Sequence, residues 1–293
     1  MAAEKEVRNK INSIINTKKI TKAMEMVSIA KMRKAESQLY ASRPYFKSIK
    51  TIIHNLQNSS LKYQHCYFKN KVISKRIAFI IVSTDRGLCG SLNSNLFKKI
   101  LEVIQIYDKK KILCDFIIFG LKGYMFFNAL HSNIFSKVIN FGQVSNLSKF
   151  SYSIEKILSR YKMGSVDKLF LAYNKFNNTI HQIPIVTKLL PISIKDIKKM
   201  NKNSIWDYIY EPNAKFILDT LLYRYIESQI YQGILENITS EHAARIIAMH
   251  TATDNSDHLI QELQLIYNKT RQASITRELT EIVSGASAVS LDH

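Results

Sequence analysis

The sequence predicts an α/β domain inserted between two long end segments that pair with each other as an antiparallel helical coiled coil. Glycine and proline, which interrupt helices, are scarce at both ends: no glycine precedes Gly87, and beyond Pro212 only Gly233 and Gly285 occur. Such composition favours long uninterrupted helices. Between the ends, short apolar runs alternate with amphipathic stretches, which is typical of a parallel, doubly wound sheet.

Residues 1–57 are predicted to form the N-terminal helix of this rod. An apolar stripe at helical spacing starts at Val7, Ile11 and Ile14. After a polar run it resumes, shifted around the helix, at Ile20, Met24 and Val27. A thin stripe that wanders in this way predicts a helix that packs on one long partner and leaves much of its circumference free.

Residues 211–289 are predicted to form the other helix of the rod, followed by a tail at 290–293. Pro212 suits the first turn of a helix, where its missing N–H costs nothing. Apolar residues then recur at heptad-like spacing from Leu218 to Tyr267. At ~1.5 Å per residue this helix would be on the order of 100 Å long, more than one globular domain can bury. The two terminal helices are therefore expected to pair.

Residues 75–195 are predicted to form a Rossmann-like α/β domain, joined to the rod by linkers at 58–74 and 196–210. Its short apolar strands are expected at 76–83, 112–120, 134–141 and 168–176. A last segment, from Ile183 to Ile192, carries Pro184 and Pro191 and suits a sheet edge.

The formal net charge of +19 has two open explanations. It indicates an anionic partner, such as nucleic acid, a membrane surface or an acidic protein. Compositional drift toward Lys, Ile and Asn would raise the charge equally well, because the basic residues are spread along the chain.

The cysteines Cys66, Cys89 and Cys114 have no metal-binding or redox spacing. Together with the lack of a secretory segment at the start, they indicate a reducing compartment. No apolar run approaches the length that spans a bilayer, so any membrane association is expected to be peripheral.

The stretch "VSTDRGLCGSL", residues 82–92, resembles an active-site turn between a strand and a helix. It lacks the lysine and hydroxyl of a GxxxxGK[ST] phosphate loop, and the dinucleotide pattern GxGxxG is absent. Cys89 near a helix start could be a nucleophile, but the local sequence supplies no base. A small buried structural cysteine is the preferred interpretation, with Gly87 and Gly90 serving backbone geometry.

No other residues form a pattern that predicts catalysis or metal binding. His242, His250 and His258 step by eight along one helix, so each is rotated by roughly 80° from the last and they cannot share a metal. We therefore expect no catalytic residue, metal or cofactor. A basic nucleic-acid-binding protein is the alternative, although methionines among the lysines of 18–34 suit an adaptable protein contact at least as well.

Three long motifs then resemble the γ subunit of bacterial F-type ATP synthase. They are "RNKINSIINTKKITKAMEMVSIAKMRKAE", "STDRGLCGSLNSNLFKK" and "ATDNSDHLIQELQLIYNKTRQASITRELTEIVSGASAV", and the resemblance runs over essentially the whole chain. It implies the same architecture and a non-catalytic rotor that couples proton flow through the membrane c-ring to ATP synthesis in the α3β3 hexamer. It also places the chain peripherally on the cytoplasmic face of the bacterial inner membrane, with ATP, ADP and Mg²⁺ held by α and β.

The resemblance implies two sets of contacts. Tyr208, Tyr210 and Glu211 would contact the c-ring and ε. The residues implied to contact α and β are Met24, Arg271, Gln272, Thr276, Glu278, Leu279, Ile282 and Val283. Ser91, Arg277 and the four-residue tail depart from the family pattern, and the two-cysteine insert of chloroplast γ is absent.

Overall fold

The computed structural model describes residues 2–58, 65–68, 74–139, 147–192, 211 and 214–290. The chain divides into two compact units: Met1–Ser28 with Ile246–His293, and Ile29–Arg245. No helix in the described ranges is both long and apolar enough to cross a membrane.

Two long helices occupy the ends of the chain: α1 (Ala2–Asn58) and the last helix, α5 (Ala214–Ser290). In the first unit, Tyr267 Oη donates to Glu4 Oε1 at 3.1 Å, and the hydroxyls of Thr21 and Thr253 lie 2.9 Å apart. Residue numbers on α5 therefore decrease in the direction in which residue numbers on α1 increase. The two helices are antiparallel, which confirms the predicted coiled coil.

The inner face of α1 differs from the predicted stripe. Thr21, Glu25 and Ser28 lie on the half-buried or buried line that faces α5. Ile20 and Val27, which the stripe placed inward, are 60% and 54% exposed, so that assignment was wrong for both. The reason is that Thr21 and Glu25 find polar partners across or along the helices, which allows polar side chains to occupy the seam.

The second unit contains a five-stranded sheet of order β3-β2-β1-β4-β5. The strands are β1 (Arg76–Val82), β2 (Leu113–Phe119), β3 (Asn133–Val138), β4 (Lys168–Phe176) and β5 (Gln182–Leu190). The first four are mutually parallel, and β5 runs antiparallel to β4 at the edge, where Pro184 is tolerated.

Helices cover both faces of this sheet, as a doubly wound fold requires: α2 (Leu92–Asp108), α3 (Leu121–Ala129) and α4 (Leu147–Lys162). Because side chains alternate along a strand, Ile77, Phe79 and Ile81 pack with buried residues of α2 and α3. Ala78, Ile80 and Val82 pack with α4 and with the segments of α1 and α5 that belong to this unit. The end helices thus form one wall of the domain core.

Candidate functional site

Ser83 stabilises the turn after β1 through the hydrogen bonds of its hydroxyl, which gives it a structural role. Ser83 Oγ donates to the Phe119 carbonyl at 2.9 Å and accepts from the Gly123 N–H at 3.0 Å. Gly120 has φ 103°, and a Cβ on it would lie 2.5 Å from Ser83 Oγ. Both hydrogen-bonding functions of the hydroxyl are therefore used within the protein, where they link the ends of β1 and β2. Only glycine fits at position 120, opposite this hydroxyl.

Cys89 lies in the same turn as a packed core residue. It is 3% exposed and clusters with Leu92 and Ala244. Burial raises the pKa of its thiol, the opposite of what a nucleophile at a helix start requires. This supports the structural interpretation of Cys89.

The backbone geometry of the turn falls on different residues than expected. Gly90 has a positive φ of 60°, in agreement with the prediction, but the second such residue is Leu88, at φ 62°. Gly87 has no positive φ, so no left-handed backbone conformation requires a glycine at that position. Leu88 is 62% exposed, so the turn presents an apolar side chain outward.

A buried ionic cluster on α5 holds this turn from the other side. The Arg245 guanidinium donates to the Gly87 carbonyl at 3.2 Å and to Glu241 Oε1 at 2.6 Å. Its Nη1 lies 3.3 Å from His242 Nδ1. Burial, together with the charges of Arg245 and Lys31, lowers the pKa of His242 to about 4. Burial raises the pKa of Glu241, although the positive charge of Arg245 lowers it in part.

Sequence reasoning missed Glu241 and Arg245, although their spacing of four residues on a helix was a readable signal of an ion pair.

A second polar junction ties α5 to the sheet. Asn237 Oδ1 accepts from the backbone N–H and the side-chain amide of Asn174, at 3.3 and 2.9 Å. Ser240 Oγ donates to the Asn174 carbonyl at 3.1 Å. All three residues are buried, and Gly233 of α5 leaves only 2.9 Å between an added Cβ and Leu171 of β4. The helix and the sheet are therefore in close, bonded contact.

The C-terminal part of α5 presents an apolar face to solvent. The Tyr267–Glu4 hydrogen bond is near the start of α1, yet α5 continues to Ser290. Four apolar residues there, on one side of the helix, are 44–67% exposed: Ile275, Leu279, Ile282 and Val283. An exposed apolar stripe of this kind is characteristic of a protein-contact surface.

The structure brings most of the implied α- and β-contact residues onto this segment. Leu279, Ile282 and Val283 belong to the stripe, and Ile275 was missed by sequence reasoning. Arg271, Gln272, Thr276 and Glu278 are exposed beside it. Glu278 Oε1 accepts from Ser274 at 3.2 Å, and the unusual Arg277 pairs with Glu281 at 2.9 Å along the helix.

The remaining implied contact residues lie apart from that stripe. Met24 is half-buried, whereas Met26, two residues further along the same helix, is 57% exposed. Glu211 is exposed, and Tyr208 and Tyr210 lie outside the described residues. Within the described ranges, no group of His, Cys, Asp and Glu side chains could hold a metal ion.

An α/β domain whose core includes segments of two antiparallel end helices, with exposed apolar side chains elsewhere on those helices, is typical of a subunit that assembles with other chains. The model of a family described as ATP synthase matches residues 3–289. ATP synthase gamma chains of Buchnera aphidicola from Schizaphis graminum and from Acyrthosiphon pisum (strain Tuc7) are 56% and 54% identical over 292 residues, covering 100% of both chains in each case. The chain belongs to the ATP synthase gamma chain family.

Solved structures share the fold. A chain of the Euglena gracilis mitochondrial ATP synthase rotor has a TM-score of 0.65 at 20% identity, covering 94% of this chain and 99% of its own length. A chain of the Tetrahymena thermophila mitochondrial ATP synthase central stalk and c-ring has a TM-score of 0.61 at 24% identity, covering 80% and 99%. At these identities the likeness establishes the architecture.

Proposed function

We propose that this chain is the central-stalk rotor of a proton-translocating F1Fo ATP synthase, transmitting rotation between the membrane c-ring and the α3β3 hexamer. The observation that carries the proposal is the exposed apolar stripe Ile275, Leu279, Ile282 and Val283 on α5. Exposed apolar side chains are costly unless a partner covers them, and a ring of α and β subunits closing around α5 would do so.

The mechanism needs no catalytic residue in this chain. ATP, ADP and Mg²⁺ are bound by α and β, and γ biases which β subunit is open. It can do so because one turning helix presents different side chains to each β subunit, so the three β subunits experience different interaction free energies. Arg271, Gln272, Thr276 and Glu278 supply polar contacts beside the apolar stripe, and Met24, with the exposed residues near it, supplies a second contact.

Transmission of torque requires a firm attachment between α5 and the inserted domain. The Asn174–Asn237–Ser240 bonds and the close packing at Gly233 supply it, since all of these groups are buried. We place ε and the c-ring at the start of α5, through Tyr208, Tyr210 and Glu211. The complex would lie on the cytoplasmic face of the bacterial inner membrane, and the division into a rod at 1–57 and 211–289 and a domain at 75–195 belongs to this proposal.

The test is co-expression of this chain with α and β, followed by isolation of the complex and measurement of its ATPase activity. We expect a stable complex with activity. The variant Leu279→Ser/Ile282→Ser/Val283→Ser should weaken binding of this chain to α3β3 by about ten-fold or more, because each apolar side chain loses its burial. A matched control, Ile106→Ser/Met125→Ser/Leu130→Ser, removes three comparably exposed apolar side chains from the inserted domain and should bind as the wild type does.

A chain that stays alone in the presence of α and β would contradict the proposal. Cys89→Ala distinguishes the proposed rotor from an enzyme that uses Cys89 as a nucleophile. The complex that contains this variant should keep its ATPase activity. The nucleic-acid alternative, which the family assignment does not support, predicts instead oligonucleotide binding that weakens steeply with salt.

A further inference from the structure

Six lysines gather along one edge of the sheet, where the parallel strands begin. We call this the basic edge; its members are Lys75, Lys109, Lys110, Lys111, Lys162 and Lys168. β1 lies between β2 and β4, and its first residues are in register with theirs, Arg76 with Leu113 and Ile77 with Lys168. The segments that lead into these three strands therefore meet at the same edge.

Hydrogen bonds confirm that these segments touch. The Leu113 N–H donates to the Lys75 carbonyl at 3.2 Å, and the Asp167 N–H donates to the Arg76 carbonyl at 2.9 Å. Lys168 Nζ lies 6.0 Å from the centre of the Tyr107 ring, and the turn from Tyr107 to Ile112 carries the three consecutive lysines.

Two carboxylates near the basic edge, Asp167 and Asp115, are engaged by other groups, whereas the exposed Asp108 directly precedes Lys109. Asp167 Oδ2 accepts from the backbone N–H groups of Lys75 and Arg76, at 2.7 and 3.2 Å. Asp115 is 1% exposed and interacts with Arg160 Nη1 at 3.5 Å and Arg76 Nη1 at 3.7 Å. Among the described residues, none of the six lysine ammonium groups is in an ion pair. The six lysines outnumber Asp108, so the edge keeps a net positive charge that an external anion can neutralise.

Two exposed apolar side chains accompany the lysines. Leu113 is 59% exposed at the first position of β2, and Met163 is 81% exposed beside Lys162. Gly164, at φ 79°, makes the tight turn that follows Met163. Lysines mixed with exposed apolar side chains suit a lipid interface, where the charge meets phosphates and the apolar groups enter the headgroup region. A single-stranded nucleic acid would instead favour exposed aromatic rings for base stacking.

We propose that the basic edge binds the anionic phospholipid headgroups of the membrane surface. The position of the basic edge near the start of α5 agrees with this proposal. Lys162 Nζ lies 5.9 Å from the centre of the Tyr67 ring. The adjacent His65 is 3.4 Å from Asp219, near the start of α5. This positional agreement rests on the proposed function, which puts that end of α5 at the c-ring. The charge and the apolar exposure do not depend on it.

The test is co-sedimentation of the full chain with vesicles of phosphatidylcholine, with and without phosphatidylglycerol. We expect binding only to the anionic vesicles. Lys109→Gln/Lys110→Gln/Lys111→Gln should weaken it by about five-fold per lysine, on the order of a hundred-fold in all. The control Lys98→Gln/Lys122→Gln/Lys175→Gln removes the same charge from exposed sites away from the edge and should lose far less.

Met163→Ser tests the apolar contribution separately. It should weaken vesicle binding several-fold, and this loss should persist in high salt, where the lysine contribution is screened. Circular dichroism of each variant establishes that it is folded.

Equal losses in the edge variant and its control would overturn the proposal, as would equal binding to neutral vesicles. Displacement of the anionic vesicles by an oligonucleotide that binds the edge more tightly would overturn it in favour of nucleic acid. The edge variant should still assemble with α and β, so failure here is distinguishable from failure of the proposed function.

Discussion

The residues around Ser83 show how a turn that resembles an active site performs a packing role. Ser83 is buried, and its hydroxyl both donates and accepts a hydrogen bond within the turn region. Cys89 is buried with a raised pKa. The sequence could exclude a phosphate loop from missing residues, but Leu88, rather than Gly87, adopts the left-handed conformation. The Gly87 carbonyl also accepts a hydrogen bond from Arg245, a tertiary contact that local sequence does not display.

At the residue scale, His242 should make the protein sensitive to mild acid. Its pKa is about 4 in the folded chain, against an ordinary value of 6.5. As pH falls from 6.5 toward 4, His242 binds a proton in the unfolded state but stays neutral in the folded state. The free energy of unfolding therefore decreases. The slope is at most about 1.4 kcal/mol per pH unit for one such group.

His242→Gln keeps a polar side chain beside Arg245 and removes the ionisation. Urea unfolding at pH 7.5 and pH 5 should show a smaller loss of stability in this variant than in the wild type. Glu241 acts in the opposite direction, since its raised pKa favours the folded state as pH falls, but it is present in both proteins and cancels in the comparison. His258→Gln, at an exposed position on the same helix, is the control. Identical pH dependence in the wild type and His242→Gln would refute this role.

Among the secondary-structure elements, the alternation of strands and helices in the central domain could be predicted from sequence. The direction of β5 and the face of α1 that packs against α5 were harder to predict. Strands alternating with amphipathic helices require right-handed crossovers and hence a parallel sheet. The connection between β4 and β5 is too short for a crossover helix, so β5 is antiparallel to β4, and the length of that connection is readable in the sequence. In α1, apolar spacing pointed to Ile20 and Val27, whereas the hydrogen bond between Thr21 and Thr253 allows a polar seam.

The junction between α5 and β4 gives a prediction at the same scale. Asn237→Ala removes the acceptor for two N–H groups of Asn174 and leaves them buried and unpaired. This should decrease the free energy of unfolding by about 2–3 kcal/mol. Urea unfolding monitored by circular dichroism measures it.

Asn255→Ala is the matched control for this junction. Asn255 is exposed on the same helix, so its replacement should change stability by no more than about 0.5 kcal/mol. Equal stabilities of Asn237→Ala and Asn255→Ala would show that the Asn174–Asn237 contact does not hold the helix to the sheet.

At the scale of the whole molecule, the pairing of the end helices followed from their length, because no single domain buries helices of 57 and 77 residues. The contact surface that we propose on α5 could be predicted only through the family resemblance, since an exposed stripe and a core stripe have the same spacing in a sequence. The origin of the charge of +19 was equally open, and the clustering of six lysines at one edge appears only once the strands are in register.

Rotation of this chain within the assembled complex can be measured by single-molecule microscopy. Complexes with α and β are fixed to a surface through β, and a bead is attached to the inserted α/β domain of this chain. We expect the bead to rotate in one direction when ATP is added and to stop when ATP is withdrawn. Hydrolysis of ATP by such complexes while the bead stays in a fixed orientation would contradict the proposed function.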